Sequence, residues 1–437
     1  MIDFSIEPEF QAKLDWMMEF VKTECEPLDM LARFHGQPYD TSDPIRNAIL
    51  EPLQKEVRRQ GLWACHLTPD MGGQGYGQVK LGLMNEIIGR SHWASTVFGT
   101  AAPDTGNAEI LAMYGTPEQK ERYLQPLLDG KIVSCFSMTE PHAGSDPKEF
   151  TCRATRDGDH WVIQGEKWFS SNARYAAFFI VMAVTDPDAP PYERLSMFII
   201  PSETPGINIV RNVGTFGDDI DNPDHASHGY IRYENVRVPV DGMLGGPGEG
   251  FKVAQSRLGG GRIHHAMRTV AKVKAAFDMT CERALSRTTQ GEVLAQKQLV
   301  QAMIADSWID IEQFRLLVLR TAWKIDRYKD YRKVRADISA VKAAMPRVYH
   351  DVYSRALQIH GSLGLSTEMP FAAGVLDSYH MGLADGPTEV HKVTVARQVL
   401  DGYRETNELF PDYHLIKRRE AALAKYADVL EHEVAEF

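Results

Sequence analysis

A mostly helical fold with a central β domain is what this sequence predicts, and three observations carry the prediction. Apolar residues recur at three and four residues from Phe10 to about Lys131, and again from Gly250 to about Tyr403. Between about Ile132 and Val240 the period drops to two, and Gly, Pro, Asn and Asp supply the punctuation. At 437 residues the chain also exceeds the roughly 250–300 residues at which single cores stop growing. The expected division is a helical domain over 1–131, a β domain over 132–241, a helical bundle over 242–405 and a tail with a charged helix over 406–437.

In the first third, helices are expected at 10–24, 43–60, 81–91, 106–114 and 116–128. The last begins at Thr116-Pro117-Glu118-Gln119, a capping hydroxyl followed by Pro at the first helical position, and stops at Asp129-Gly130. In the middle third, 178–185, 195–201, 207–213 and 229–237 are short, β-branched and aromatic, with no helical stretch between them, so an antiparallel sandwich or barrel is expected. Helices return at 263–287, 296–328, 332–360 and 389–400. In the second of these Ile304, Trp308, Ile311, Phe314, Val318, Ala322 and Ile325 form one face. Residues 417–436 predict a charged terminal helix able to wrap a neighbouring subunit.

Composition narrows the function classes. With 43% hydrophobic and 24% charged residues the chain can bury a large core, and its net charge of −11 argues against a duplex-binding protein. Five cysteines, odd in number and without a CxxC pair, read as reduced thiols in a cytoplasmic protein. The N-terminus lacks an export signal, and no run of about 18 apolar residues exists to span a membrane.

Familiar catalytic signatures are missing: there is no G-x-G-x-x-G after a strand, no P-loop and no G-x-S-x-G elbow, and no Glu stands three residues before any histidine. No metal site is expected. The acidic run Asp218–His225 reads as a solvated connector. Adjacent His264 and His265 point about 100° apart on a helix and are assigned to core or interface rather than to one metal.

Three segments are more specific. They are Phe136-Ser137-Met138-Thr139-Glu140-Pro141-His142-Ala143-Gly144-Ser145-Asp146, then Gly165-Glu166-Lys167-Trp168-Phe169-Ser170-Ser171-Asn172, then Leu383-Ala384-Asp385-Gly386-Pro387-Thr388-Glu389-Val390-His391. Together they resemble the acyl-CoA dehydrogenase family, with its T-E-P-x-A-G-S-D, K-x-W-I-T-N-G and E-G-T motifs. Further matches are Gly115 to Lys120, Glu234 to Pro239, Gly248-Glu249-Gly250-Phe251 with Arg262, Arg287 to Gly291, Gln298, and Gln358 to Gly364. The resemblance covers nearly the whole chain. Within the family, Leu258–His265 and Ala384–Pro387 are most similar to family members 10 and 11 and their bacterial relatives.

The resemblance implies a family fold of N-terminal helices, a middle β domain and a C-terminal four-helix bundle. It also implies an FAD enzyme that desaturates an acyl-CoA between its α and β carbons. Asp385, standing where the family has a catalytic Glu, would be the α-proton base. It is shorter than Glu by one methylene, or about 1.5 Å. Burial against an apolar acyl chain is expected to raise its pKa.

Some family members carry the base just before the Arg matching Arg262; here Gly261 stands there. Phe136, Met138, Thr139, Ser145, Trp168 and Ser170 would cradle the flavin, with Pro387 and Glu389 beside it, and Ser145, Arg262 and Gly386 would face the substrate. A buried structural ion pair is an equal reading of Arg262. Arg287, Gln298, Gln358 and Gly361 resemble residues that hold FAD across a subunit interface, implying a homodimer or a tetramer.

The partners implied are an acyl-CoA and electron-transferring flavoprotein, within fatty-acid β-oxidation. Three alternatives stay open: an acyl-CoA oxidase that uses dioxygen, a flavin monooxygenase of the same architecture, and a non-enzymatic binding protein. The usual oxidases of the fold are longer, and monooxygenases normally lack the carboxylate at Asp385.

Overall fold

Periodicity of three to four does produce helices at the N-terminal end of the chain. The computed structural model describes residues 5–31, 38–215, 227–406 and 408–434, so the acidic run Asp218–His225 lies outside the described residues. Pro8 starts α1 (Pro8–Phe20), which passes through a π-helical turn at Val21–Cys25 into α2 (Glu26–Leu31). Asp43 caps α3 (Pro44–Arg59) by accepting from the N–H groups of Ile45 and Arg46 at 2.8 and 3.3 Å.

One side chain from far along the chain caps the start of α4 (Gly77–Ile88). Both oxygens of Asp326 accept from its first N–H groups, at Gln78 (2.6 Å) and Val79 (2.9 Å). Then come α5 (Ala94–Val97), α6 (Asp104–Tyr114) and α7 (Pro117–Gln119), which runs through a π-helical turn at Lys120–Leu124 into α8 (Gln125–Leu128). The expected capping hydroxyl of Thr116 is present, and Gln119 completes it into a capping box.

The middle of the chain forms β1 (Val133–Ser137), β2 (Arg153–Asp157), β3 (His160–Ser171), β4 (Ala176–Val184), β5 (Leu195–Pro201), β6 (Ile207–Val213), β7 (His228–Pro239) and β8 (Met243–Leu244). Their order in one sheet is β6-β7-β3-β2-β4-β5-β8, with β1 also paired to β4. The expectation of a purely antiparallel arrangement is corrected at two places: β1 and β2 both meet β4 in parallel. The physical reason is that β1 enters from the helical domain beside β4, and β2 and β3 intervene before the chain returns.

Period two then sorts β4. Phe178, Ile180, Met182 and Val184 pack in one cluster with α6, α8 and the start of α9 (Gly250–Ser286). Phe179, Val181 and Ala183 pack in another with Ile163, Ile231, Tyr233 and Val238.

Helix α9 begins 13 residues before the expected start at 263, so it carries the glycine triplet inside it. Glycine would weaken an isolated helix, but here neighbours occupy the space of the missing side chains. A Cβ on Gly259 would lie 2.9 Å from the Tyr331 ring, on Gly260 2.7 Å from Glu109 Oε2, and on Gly261 3.0 Å from Asp385 Oδ2. A hairpin of β9 (Thr288–Thr289) and β10 (Glu292–Val293) leads into α10 (Gln298–Tyr328) and α11 (Arg335–His360). Short α12 (Ser362–Leu365) is followed by α13 (Phe371–Leu383), which periodicity did not predict, and by α14 (Thr388–Leu400). Helices α9, α10, α11 and α13 form the bundle, with α11 packed on the other three.

Residues up to Thr394 make one compact unit and Val395–Phe437 a second. In the second, the expected terminal helix is two, α15 (Leu415–Lys425) and α16 (Ala427–Val434), and α15 buries no residue. Among the described residues no helix is long and apolar enough to cross a membrane.

Candidate active site

The loop between α13 and α14 bends sharply because Asp385 and Gly386 both take positive φ, 57° and 106°. A non-glycine residue is uncommon there, and Asp is among the few that tolerate it. Four polar contacts hold the bend. Arg262 Nε donates to the Asp385 carbonyl at 2.9 Å, and His391 Nε2 lies 3.3 Å from the same oxygen. Buried Lys342 donates to Met381 O at 2.5 Å, and Thr388 Oγ1 to Gly382 O at 3.2 Å. The main chain is thereby fixed while the Asp385 carboxylate, 17% exposed, turns toward α9 and places Oδ2 3.6 Å from His265 Nε2.

Electrostatics set the charge of this carboxylate. Burial pushes the Asp385 carboxyl up, but His265, Arg257, Arg262 and Lys342 outweigh it and hold it below the ordinary carboxylate range. The anticipated rise is that of a carboxylate covered by an acyl chain; in the chain by itself α9 and α11 bring cations. Burial drives Lys342 down to about 8 against the attraction of Asp385. It drives His391 and His265 down to about 4, so both imidazoles are neutral near pH 7.

Arg262 acts through the Asp385 main-chain carbonyl, an anchoring role between the two alternatives foreseen for it. Arg257 was missed by sequence reasoning. Its guanidinium stacks 3.9 Å from the Phe136 ring centroid and its Nε donates to Asn107 Oδ1 at 2.9 Å, tying α9 to β1 and α6.

The first and second motif segments meet back to back. Phe136 and Ser137 are the end of β1 rather than part of a loop. Beyond them Trp168 N donates to Thr139 O at 3.0 Å. Lys167 Nζ donates to Met138 O at 2.7 Å and to Glu140 Oε1 at 2.8 Å, and Glu140 also accepts from the N–H groups of Thr151 and Cys152. Ser145 is exposed.

Trp168 is half-buried, edge-on to Phe169, whose φ of 50° marks the bulge of β3 between Lys167 and Ser170. That bulge turns Ser170 inward. Its hydroxyl lies 2.9 Å from Ser137 Oγ, which also receives a hydrogen bond from Tyr233, so the Ser170 side chain is directed into the β domain. The neighbouring Ser171 hydroxyl instead pairs with His228 Nδ1 at 2.9 Å.

Contacts also join the second segment to the third. The Phe169 ring stands 5.3 Å from His228, and His228 stands 6.3 Å from His380 on α13, the helix that ends at the Asp385 bend. Gly386, Pro387 and Glu389 follow, with Glu389 exposed in the first turn of α14. Arg287 closes α9, Gln298 opens α10, and Gln358 and Gly361 end α11. All four are exposed, and among the described residues no hydrogen bond ties them to the Asp385 cluster.

His264 and His265 separate as their 100° offset requires. His264 is buried edge-on to His66 at 6.5 Å, whereas His265 faces Asp385, a role the core-or-interface assignment did not foresee. A side chain four residues beyond a glycine on the same helix face was the signal available in the sequence.

The site thus offers a half-buried indole on a turn whose Met138 and Thr139 carbonyls are held by Lys167 and Trp168, and a carboxylate on the Asp385 bend that can accept a proton.

Comparisons with known proteins agree along the chain. The family descriptions "Acyl-CoA dehydrogenase, N-terminal domain", "middle domain" and "C-terminal domain" match residues 8–131, 135–236 and 248–400. The protein named probable acyl-CoA dehydrogenase FadE2 of Mycobacterium tuberculosis is 39% identical over 398 residues, 90% of this chain and 94% of that protein. Acyl-CoA dehydrogenase family member 11 of Gallus gallus is 39% identical over 392 residues, 88% of this chain. This chain thus spans about half, 49%, of that longer relative. A solved structure of acyl-CoA dehydrogenase type from Mycobacterium abscessus superposes with a TM-score of 0.83 at 37% identity, covering 92% of this chain and 100% of that one.

Proposed function

The chain belongs to the acyl-CoA dehydrogenase family, and from that premise we propose that it is an FAD-dependent acyl-CoA dehydrogenase in which Asp385 abstracts the α-proton of an acyl-CoA thioester. The observation that carries the reading is the Asp385 bend. Its main chain is anchored by Arg262 and its carboxylate lies over the side-chain-free Gly261, in the space a Cβ would take, so a catalytic group is held in one position at the junction.

Bound FAD would supply the acceptor for the β-hydride. The chain's own residues do the rest. Trp168 presents a half-buried indole against which a ring can lie, with Met138 and Thr139 lining the adjoining turn and Phe136 held behind it by Arg257. Ser145, exposed on the same loop, and Gly386 flank the substrate side. The Asp385 N–H is free of any intrachain bond among the described residues and is suited to polarise the thioester oxygen.

Arg257, Arg262 and Lys342 keep the Asp385 carboxyl ionised and ready to accept a proton. Ser170, turned inward, supports the flavin segment from within the sheet. Exposed Arg287, Gln298, Gln358 and Gly361 suit a second subunit's share of the cofactor, and Pro387 and Glu389 the near side of it. Electron-transferring flavoprotein is the acceptor we assign, as membership of a dehydrogenase family implies.

The test is anaerobic bleaching of the purified flavoprotein by butyryl-, octanoyl- and palmitoyl-CoA. Wild type should bleach with at least one. Asp385→Asn should keep its flavin spectrum and lose bleaching by about 10²–10⁴-fold. Retained turnover in that variant would sink the assignment.

A further inference from the structure

Asp385 is not the only proton-accepting group in the cluster. Gly261 and His265 are four residues apart on α9 and so share a face of the helix. At Gly261 the missing side chain lets Asp385 Oδ2 come within 3.0 Å of where a Cβ would stand. One turn on, the His265 Nε2 atom lies 3.6 Å from that same oxygen. The separation exceeds a hydrogen bond, so a shift of well under 1 Å makes one. The His265 side chain is 24% exposed and makes no side-chain hydrogen bond among the described residues, its carbonyl alone accepting from Thr269 Oγ1, whereas neighbouring His264 is buried.

We propose that His265 is the proton-relay and positioning partner of Asp385, receiving at Nε2 the proton that Asp385 Oδ2 takes from the acyl α-carbon. The inference rests on the reading of Asp385 as the base. The step balances as follows. The α C–H bond breaks and an O–H bond forms at Oδ2. That O–H bond then breaks as an N–H bond forms at Nε2, restoring the carboxylate, while the β-hydride leaves to the FAD invoked above. Before the transfer His265 is neutral, with its proton on Nδ1 and its Nε2 lone pair toward Asp385.

The surroundings keep the two proton affinities close. Facing the pair are Arg257, Arg262 and Arg268 on α9, Lys342 on α11, His380 on α13 and His391 on α14. Burial, with Arg268 and Lys342, holds His265 down to about 4, and His265, Arg257, Arg262 and Lys342 hold the Asp385 carboxyl below its ordinary range, so both groups bind a proton weakly and it can pass between them. A carboxylate so acidic is by itself a weak base, and a second seat for the proton compensates for that.

The experiment is the rate of flavin reduction of the holoenzyme between pH 3.5 and 8, using whichever of butyryl-, octanoyl- and palmitoyl-CoA bleaches wild type. His265→Gln and His265→Asn are compared, each first shown to keep its FAD spectrum and melting temperature. The relay predicts a 10- to 100-fold slower reduction and an acid limb moved to lower pH, because the pair has lost one of two places for its first proton.

An unmoved limb in both variants overturns the relay, whether or not the rate falls, since a packing role would leave the limb where it was. Bleaching by Asp385→Asn overturns the assignment of the base instead. Its loss in Asp385→Asn together with unchanged profiles in the His265 variants removes only the relay.

Discussion

Lys167 Nζ sits 2.8 Å from Glu140 Oε1, and at 0% and 1% exposure the two side chains form the most deeply buried ion pair among the described residues. The pair closes the turn that carries Met138 and Thr139, because the same ammonium also binds Met138 O. Glu140→Gln should therefore destabilise the protein by about 3–5 kcal/mol, the range for stranding a buried charge, and weaken FAD retention. Glu140 is held below its ordinary 4.5 chiefly by Lys167, which outweighs its burial. Its contribution is thus present above about pH 4.5 and lost as pH falls through the folded value. Melting temperatures at pH 7 and pH 4 should differ more for wild type than for Glu140→Gln.

Gly261→Ala places a methyl carbon 3.0 Å from Asp385 Oδ2. The carboxylate must yield by a few tenths of an ångström, and misplacement on that scale should slow flavin reduction by roughly 10-fold. The FAD spectrum should be unchanged. A reduction rate equal to wild type would show that the carboxylate has another productive position.

Glu109 is half-buried beside Gly260 with one oxygen accepting from Tyr331 at 3.1 Å, and desolvation pushes its carboxyl up to about 7. The folded state therefore binds its proton more tightly than the unfolded chain does. Stability is fully present below about pH 4.5, falls as pH climbs to about 7 and is level above. Glu109→Gln keeps the acceptor for Tyr331 and should be more stable than wild type at pH 8 by about 2–3 kcal/mol, with the gap closing at pH 4.5. Denaturant midpoints across that range check the sign.

On the bundle surface Leu299 is 79% exposed and Trp308 55%, both on α10, the helix opened by Gln298, a residue proposed for the cofactor. If the FAD site is shared between subunits, Trp308→Glu should lower the solution mass and the flavin content together. Light scattering with the 450 to 280 nm absorbance ratio tests this, and a monomer that keeps full FAD would separate the cofactor from assembly.

Much of the fold was legible because amphipathic period is local. β5 (Leu195–Pro201) and β6 (Ile207–Val213) fall at the expected bounds, and the Thr116 hydroxyl caps its helix as expected. α13 was not legible, since its stretch Phe371–Leu383 is apolar on too many sides to show a period, being packed on α11 within the bundle. α9 was shortened in prediction because three glycines look like a break until Tyr331, Glu109 and Asp385 are seen to fill their space.

The motifs around Thr139, Trp168 and Asp385 determined which residues could serve a flavin and an acyl thioester, since their types and order are written in the chain. Tertiary structure alone decided their electrostatics and aim. Arg257 and Lys342, 128 and 43 residues before Asp385 by number, surround its carboxylate. A one-residue bulge in β3 turned Ser170 inward. The offset between His264 and His265 became a division of labour only when α9 packed beneath the Asp385 bend. Coulomb interactions depend on distance in space, which sequence separation does not report.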